Sequence, residues 1–475
     1  MAPNPNYLCW QRREFIARLR LDAGDRLAIR WAPDDVDSGA VAALQLCFER
    51  SPVPPAANVL QAAAAGRFAD QFLSVRRTER GRLVSVACDV PGILGWFLSR
   101  AEEYDCPNPD EYGRFPREAS LLVREGLAAY PVVDLMIDEI AAAVVREADQ
   151  MGIAARRTSP WPEGKRCAVC LTHDVDAGID SPLRYAATMG ATGVYHLLRG
   201  HVAVSRQRFK EFRHTVRAGV SWQFERFEQL LRLEKAHGFR STFFAFGLDR
   251  AVVREHRRRQ RRYEYTNAYM RDLFDRIAEA GHEIGLHSSY EAATVVGAVA
   301  QEAARLREAV RVPVRSHRHH FLRVRIPDTL RDYEASGLIH DASLGWSYDT
   351  GPRAGTLWPF QMYDLTAGRE LNLYQCGTHL MDTAIMRVGG EAVHLDRFDR
   401  LLDSARQVQG VAVLLYHPSY LTHDGPRGVL AAYEEILRRL ACCSDVWVAP
   451  LGEMMDRCVS WRAALTSRRG MTGRS

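Results

Sequence analysis

Residues 170–178, CLTHDVDAG, bring an apolar run to a close in a histidine and two aspartates one residue apart. On an extended strand, residues two apart project to the same face. Asp174 and Asp176 therefore point together, while His173 and Val175 point the other way. Two carboxylates on one face at the mouth of a buried strand repel each other unless a cation or proton is shared between them. An isolated D-x-D also suits an Asp-rich turn. The alternative is one metal ligand beside one general base, and the rest of the chain decides between the two.

Downstream, the same pattern recurs. Short apolar segments end in polar or ionisable residues: FRSTFFAFG, GHEIGLHSS, VPVRSHRHHF, LIHDASLG, LNLYQCGTHLMD, VAVLLYHPSY and DVWVAPLGEM. Helical stretches such as FERFEQLLRLEKAHG, YMRDLFDRIAEAG and VGAVAQEAARLREAV lie between them. This alternation predicts an α/β fold with parallel strands wrapped by helices, either a barrel or a doubly wound sheet. In barrels of this kind, reactive groups gather at the C-terminal strand ends, which is where the His and Asp residues fall.

A chain of 475 residues, 47% hydrophobic and 25% charged, is too long for one ordinary core. Residues 1–155 read as a separate, smaller α+β domain. VAALQLCFER, NVLQAAAAGRFADQFL, ILGWFLSRAEEYDCP and VVDLMIDEIAAAVVREADQM carry helical periodicity, and RLVSVACDVPG reads as a strand and turn. The Pro-, Gly- and Ser-containing stretch 156–165 is expected to be a linker, 166–457 the second domain and 458–475 a tail.

No segment approaches the ~20 apolar residues of a membrane span. The N-terminus lacks a signal-peptide pattern, so no transmembrane segment and a cytoplasmic location are expected. Cys167 and Cys170 lie inside an apolar stretch without a second pair at zinc-site spacing, and read as buried thiols. The net charge of +5 comes almost wholly from arginine. The dense run REHRRRQRR (254–262) lacks interleaved aromatics and reads as a solvated face, not a nucleic-acid site.

Four further stretches offer chemistry. His287 ends an apolar strand where a ligand for the same metal would sit, whereas His282 precedes that strand and reads as structural. Glu291 is a second possible ligand, although Ser288-x-x-Glu291 also has the form of a helix-capping box. If VRSHRHHFLR is extended, Arg318 and His320 share one face and His317 and His319 the other; an arginine there can hold a base carboxylate ionised. His417 ends another apolar strand. Between these, the loop around Asp341, Trp346 and Arg353 can supply a carboxylate to orient His417 and an aromatic wall.

Taken in order, D-x-D, GHEIGLHSSY, R-x-H, D-x-S and L-x-x-H resemble the motifs of the NodB-homology polysaccharide deacetylases, carbohydrate esterase family 4. The likeness covers about residues 165–455. SRAEEYD, YGRFPREAS and YPVVD are similar to an uncharacterised N-terminal region on one bacterial branch of that family, the branch with THDVD as its first motif. The resemblance implies a distorted (β/α) barrel with a divalent metal, most often Zn2+. By position it implies Asp174 as general base, Asp176 and His287 as metal ligands, Arg318 as the group that orients the base, and His417 as general acid. The sequence departs from the family pattern in two places. Val175 separates aspartates that are usually adjacent, and Glu291 stands where a histidine ligand is usual. His320 is then the candidate third ligand, with Glu291 and His319 as alternatives.

The implied activity is metal-dependent removal of an N-acetyl or other acyl group from an amino sugar in a polysaccharide or glycan precursor. Trp346, Leu415 and Arg353 are the candidate pocket residues. Hydrolysis of a non-sugar C–N amide is an alternative, as is a degenerate glycan-binding or scaffold protein, to which Glu291 and the unusual His379 lend weight.

Overall fold

Cys167–Val175 (β1) is buried at all nine positions and forms the central strand of a ten-stranded sheet. A strand covered on both faces reads as a continuous apolar run rather than an alternating one. In this computed structural model the described residues are 4–22, 27–30, 44–49, 54–78, 81–104, 106, 108–176, 181–246, 267–386, 394–421 and 428–468. The basic run 254–262 lies outside them.

The remaining strands of the sheet are Thr242–Phe246 (β2), Glu283–Ser288 (β3), Ser316–His319 (β4), His340–Asp341 (β5), Phe360–Asp364 (β6), Arg369–Gln375 (β7), Leu380–Met381 (β8), Val411–Leu415 (β9) and Val446–Val448 (β10). Their hydrogen-bonded order is β6-β7-β5-β4-β3-β2-β1-β9-β8, with β10 also on β1. Every pairing is parallel except β6 with β7. The fold is thus mixed α/β around a mainly parallel sheet.

The ladder is an open path, but both of its ends lie on one stretch of chain. β7 pairs with β5, β8 pairs with β9, and a single bridge, Gly345 to Thr378, lies between. Because the strands run parallel, Asp174, His287, Arg318 and Asp341 all reach the same edge, and His417 follows β9 there. Cys167 and Cys170 are free buried thiols; burial pushes Cys167 up to about 12 and Cys170 well above its ordinary range.

The N-terminal residues form a four-stranded sheet in the order Leu27–Arg30, Leu44–Phe48, Gly81–Val86, Leu73–Thr78. Pro5–Leu19, Val90–Leu98 and Val132–Gln150 are its main helices. The helix expected in VAALQLCFER is instead the strand Leu44–Phe48. Its Leu-Gln-Leu-Cys-Phe run alternates buried and half-buried side chains with period two, and partner strands on both sides satisfy its backbone.

Two expected boundaries also differ. Arg156–Arg157 pairs antiparallel with Leu21–Asp22, and Trp161 is buried, stacked 5.4 Å from Trp358, with its Nε1 donating to Gln409 O at 2.8 Å. Residues 156–165 are therefore anchored rather than a loose linker. The expected tail from 458 begins inside the helix Leu451–Arg468, whose Cys458 and Arg462 are buried.

Arg462 ties that last helix to the first. Its Nη2 and Arg18 Nη1, the latter at 2.6 Å, both donate to Glu14, which is fully buried. Elsewhere along the seam Asp134 accepts from Thr356 Oγ1 (2.6 Å) and Leu357 N (2.7 Å), and Glu103 accepts from Arg353. Burial pushes the Glu14 carboxyl up, but Arg462 and Arg18 outweigh it and hold it below the usual range.

Glu14→Gln is expected to cost about 3–5 kcal/mol near neutral pH, because two buried guanidinium groups lose their counter-charge. A carboxyl whose folded-state pKa is depressed stabilises fully above its ordinary value of ~4.3 and loses that contribution as pH falls through the depressed value. Urea denaturation should therefore show a gap between wild type and variant near pH ~7 that narrows in acid. A pH-independent gap would contradict the assignment.

Candidate functional site

Asp174 and Arg318 meet at the centre of the sheet edge. Arg318 Nη1 donates to Asp174 Oδ1 at 2.9 Å, and the guanidinium lies 4.4 Å over the Phe244 ring. Arg318 is fully buried and Asp174 is 3% exposed. Gly285 makes room for this arrangement: a Cβ there would come within 2.7 Å of the Phe244 ring and 2.8 Å of Ser316 O. Burial pushes the Asp174 carboxyl up, but His287, Arg318 and His417 together hold it below its usual range.

Asp176, His287 and His320 come together beside this pair. One ligand atom from each lies within 4.8 Å of the others, and among the described residues this is the trio with the composition to hold a metal ion. His287 Nδ1 faces the carbonyl of Arg318 at 2.8 Å. A carbonyl only accepts, so Nδ1 carries a proton and Nε2 is the ring atom left to face a cation. That Nε2 and Asp176 Oδ1 are buried without hydrogen-bond partners, 3.5 Å apart. Two orphaned donor atoms facing each other, with His320 Nε2 at 3.7 Å from the same oxygen, fit a divalent cation.

The backbone that presents His320 is bent. Phe321 and Leu322, the next two residues, take positive φ of 61° and 52°. Left-handed backbone is costly for such side chains and persists where surrounding contacts over-determine it. Those contacts come from the N-terminal region. Tyr112 stacks on Phe321 at 5.0 Å, Arg114 donates to Phe321 O at 3.2 Å, and Tyr290 OH donates to Tyr112 O at 3.1 Å.

His417 completes the group. Its backbone N–H donates to Asp382 Oδ2 at 2.7 Å and its Nδ1 lies 3.0 Å from the same oxygen, leaving Nε2 facing Asp176 Oδ2 at 3.9 Å. Burial pulls the imidazole down, but Asp382 outweighs it and raises His417 to about 10.

The carboxylate against His417 is therefore Asp382 rather than the expected Asp341. Asp341 instead accepts from His317 Nδ1 (2.7 Å), Ser343 Oγ (2.6 Å) and Gln375 Nε2 (2.5 Å). β5 pairs with β4 in a register that sets Asp341 against His317, on the face away from Arg318. Asp382 has the same signature in sequence as the other site residues, an acid directly after a short apolar strand, at the end of THLMD. Arg114 and Tyr112 carry no such signal.

The side chains of 316–319 alternate as the sequence predicts, and His320 opens the turn that follows the strand. His317 Nε2 and His319 Nδ1 each lie 2.8 Å from Ser288 Oγ, and His319 also faces Tyr333 OH at 2.8 Å. His319 is thus outside the trio, and so is Glu291. Ser288 does not cap the turn that follows: Tyr290–Ala293 has Ser289 as N-cap without a side-chain cap. His379 accepts from Val413 N at 3.1 Å, and burial pulls it down to about 3, so it is a neutral structural acceptor.

Of the pocket candidates, Leu415 is buried in a small apolar cluster with Leu322 and Met381. Trp346 lines a cleft with Arg114, Phe115 and Ser347. Arg353 lies 5.4 Å under the Trp346 ring, and its Nε and Nη2 both donate to Glu103. Its guanidinium is held by Glu103 at the seam while the side chain lines the same cleft as Trp346.

Residues 41–148 match a family of unknown function (DUF7033). No curated protein matches the chain. Among solved structures, the chain is similar to a protein described as a polysaccharide deacetylase from Mycobacterium smegmatis (19% identity, 64% of this chain, 94% of that chain, TM-score 0.43). It is also similar to one so described from Pseudomonas aeruginosa PAO1 (16% identity, 64% and 94%, TM-score 0.39). A CE4 family pseudoenzyme from Bacillus anthracis is a third (14% identity, 63% and 71%, TM-score 0.31).

Arg318→Met is expected to cost about 3–5 kcal/mol by stranding the buried Asp174 carboxylate. Asp174→Asn in that background should recover part of the loss. A double-mutant cycle by urea denaturation measures this, and additive effects would mean the two groups are not coupled.

Proposed function

We propose that this chain is a metal-dependent amide hydrolase that removes an acyl group from an N-acylated amino sugar. The observation that carries the reading is the convergence at one sheet edge of an Arg-held carboxylate, an Asp/His/His donor set and an Asp-held imidazole. The motif order that resembles the polysaccharide deacetylases adds the substrate class. Asp176, His287 and His320 would hold the cation. Zn2+ suits one carboxylate with two imidazoles, and when bound it supplies a Lewis acid and water of lowered pKa.

The protein's own groups then divide the proton transfers. Asp174 accepts a proton from the attacking water, with its carboxylate kept aligned by the Arg318 bond. His417 donates a proton from Nε2 to the amine nitrogen as the C–N bond breaks, while Asp382 at Nδ1 keeps that nitrogen turned toward the site. The products are the free acid and the amino sugar. Leu322, Met381 and Leu415 offer an apolar wall for the acyl chain, and Trp346 a second wall on the cleft side.

Acetate release from a panel of N-acetylated sugars and nucleotide sugars, with and without chelator, tests the activity. Release is expected only with metal present, and purified protein free of any divalent ion would favour a scaffold instead. Asp174→Asn should lower kcat roughly 10^2- to 10^4-fold while keeping its metal; loss of metal would mean that the two aspartates have exchanged roles.

His320→Ala should weaken zinc binding by roughly hundredfold or more in chelator competition, and Glu291→Gln should leave it unchanged. The reverse result would make Glu291 the third ligand.

A further inference from the structure

Between β1 and the helix Trp222–Ala236 the chain makes a helical hairpin, Pro182–Leu198 and Val202–Ala218. Ser181 Oγ accepts from Arg184 N at 3.2 Å, and Pro182 begins the first helix. Glycine inside a helix usually costs stability, but here Gly193 and Gly190 let the rings of Phe209 and Phe212 approach to 3.1 Å and 3.5 Å of where a Cβ would lie. Ser205 Oγ donates to Gly193 O at 2.8 Å, and Tyr185 OH donates to Glu211 at 2.7 Å. The hairpin is a packed element of its own. It leaves the sheet after Asp176 and returns before Trp222, so both its ends lie at the edge that carries the site.

The far end of the hairpin is apolar and uncovered. Leu198 is 82% exposed, Leu197 52% and Tyr195 50%, and Val194, Val202 and Val204 are exposed beside them. Contiguous exposed apolar side chains of this kind mark a docking surface. The hairpin, its turn included, carries seven arginines and lysines from Arg184 to Arg217 against one acid, the buried Glu211. That is a net +6 in the hairpin, while the whole chain carries +5.

We propose that this hairpin docks the protein on an anionic bilayer surface. Its leucines and valines enter the boundary between headgroups and acyl chains, and its arginines meet the lipid phosphates, the pattern of an interfacial amphipathic element. A second copy of this chain is a poor occupant, since pairing the same surface would oppose like charges. Nucleic acid would satisfy the arginines but leave Leu197 and Leu198 without a role. Among the described residues no helix is long and apolar enough to cross a membrane, so contact would be peripheral. Docking stands apart from the hydrolase reading. Combined with that reading, it points to a lipid-linked glycan as the substrate class.

Co-sedimentation of the full chain with vesicles of phosphatidylcholine, with and without phosphatidylglycerol, tests this. Binding is expected on phosphatidylglycerol-containing vesicles, weakened by salt, and not on phosphatidylcholine alone. Leu197→Glu with Leu198→Glu should lower partitioning roughly tenfold or more, with unchanged circular dichroism and unchanged acetate release from soluble substrates. Equal partitioning of wild type and variant, or no binding to anionic vesicles, would overturn the proposal. So would sedimentation velocity showing a dimer that the variant abolishes in a protein that ignores vesicles. Absence of acetate release from both proteins would sink the hydrolase reading and leave the vesicle result standing.

Discussion

The buried contact between Arg318 and Asp174 constrains the site more than any other interaction. A guanidinium does not give up its charge, so it is buried only where a carboxylate and a weakly polar surface receive it. Here the carboxylate comes from β1 and the aromatic face from Phe244 on β2, while Arg318 is on β4. Three strands separated by long stretches of chain must therefore stand in register. β3 lies between, and its Gly285 leaves the space in which ring and guanidinium meet. His287 lies opposite Arg318 in the ladder and donates to its carbonyl, and His320, in the turn just after the strand, brings its Nε2 to 3.7 Å from Asp176.

The reverse face of β4 supports this arrangement. His317, His319, Ser288, Asp341 and Tyr333 form a continuous buried hydrogen-bonded group. Burial pulls both imidazoles below their usual range, so they act as neutral donors and acceptors. A buried polar network adds rigidity when its members are satisfied and is costly when they are not. One four-residue strand thus separates a structural set of histidines from the reactive edge purely by the alternation of its side chains.

The N-terminal region is part of the same construction. Glu14 joins the first and last helices through Arg462, and Asp134 and Glu103 receive donors from the loop 353–357. Tyr112 and Arg114 hold Phe321, the residue after His320, in left-handed backbone. The matched family of unknown function therefore overlaps a segment, 110–117, that packs directly on the turn presenting a candidate ligand.

The α/β class, the identity of the site strands and the facing of Asp174 and Arg318 were legible in sequence, because each depends on a local period of two along a short strand; His320 lies in the turn just beyond one. The helix read into VAALQLCFER failed for the converse reason: composition pointed one way, and the neighbouring strands that fix its backbone lie elsewhere in the chain. Asp382 rather than Asp341 against His417, the commitment of Arg353 to Glu103 and the anchoring of 156–165 and 458–468 belong to the tertiary structure alone. Each is a contact between groups tens to hundreds of residues apart, set by strand register and by the pairing of buried charges. A local pattern shows that a residue will lie at the edge of the sheet; only the assembled sheet decides which partner meets it there.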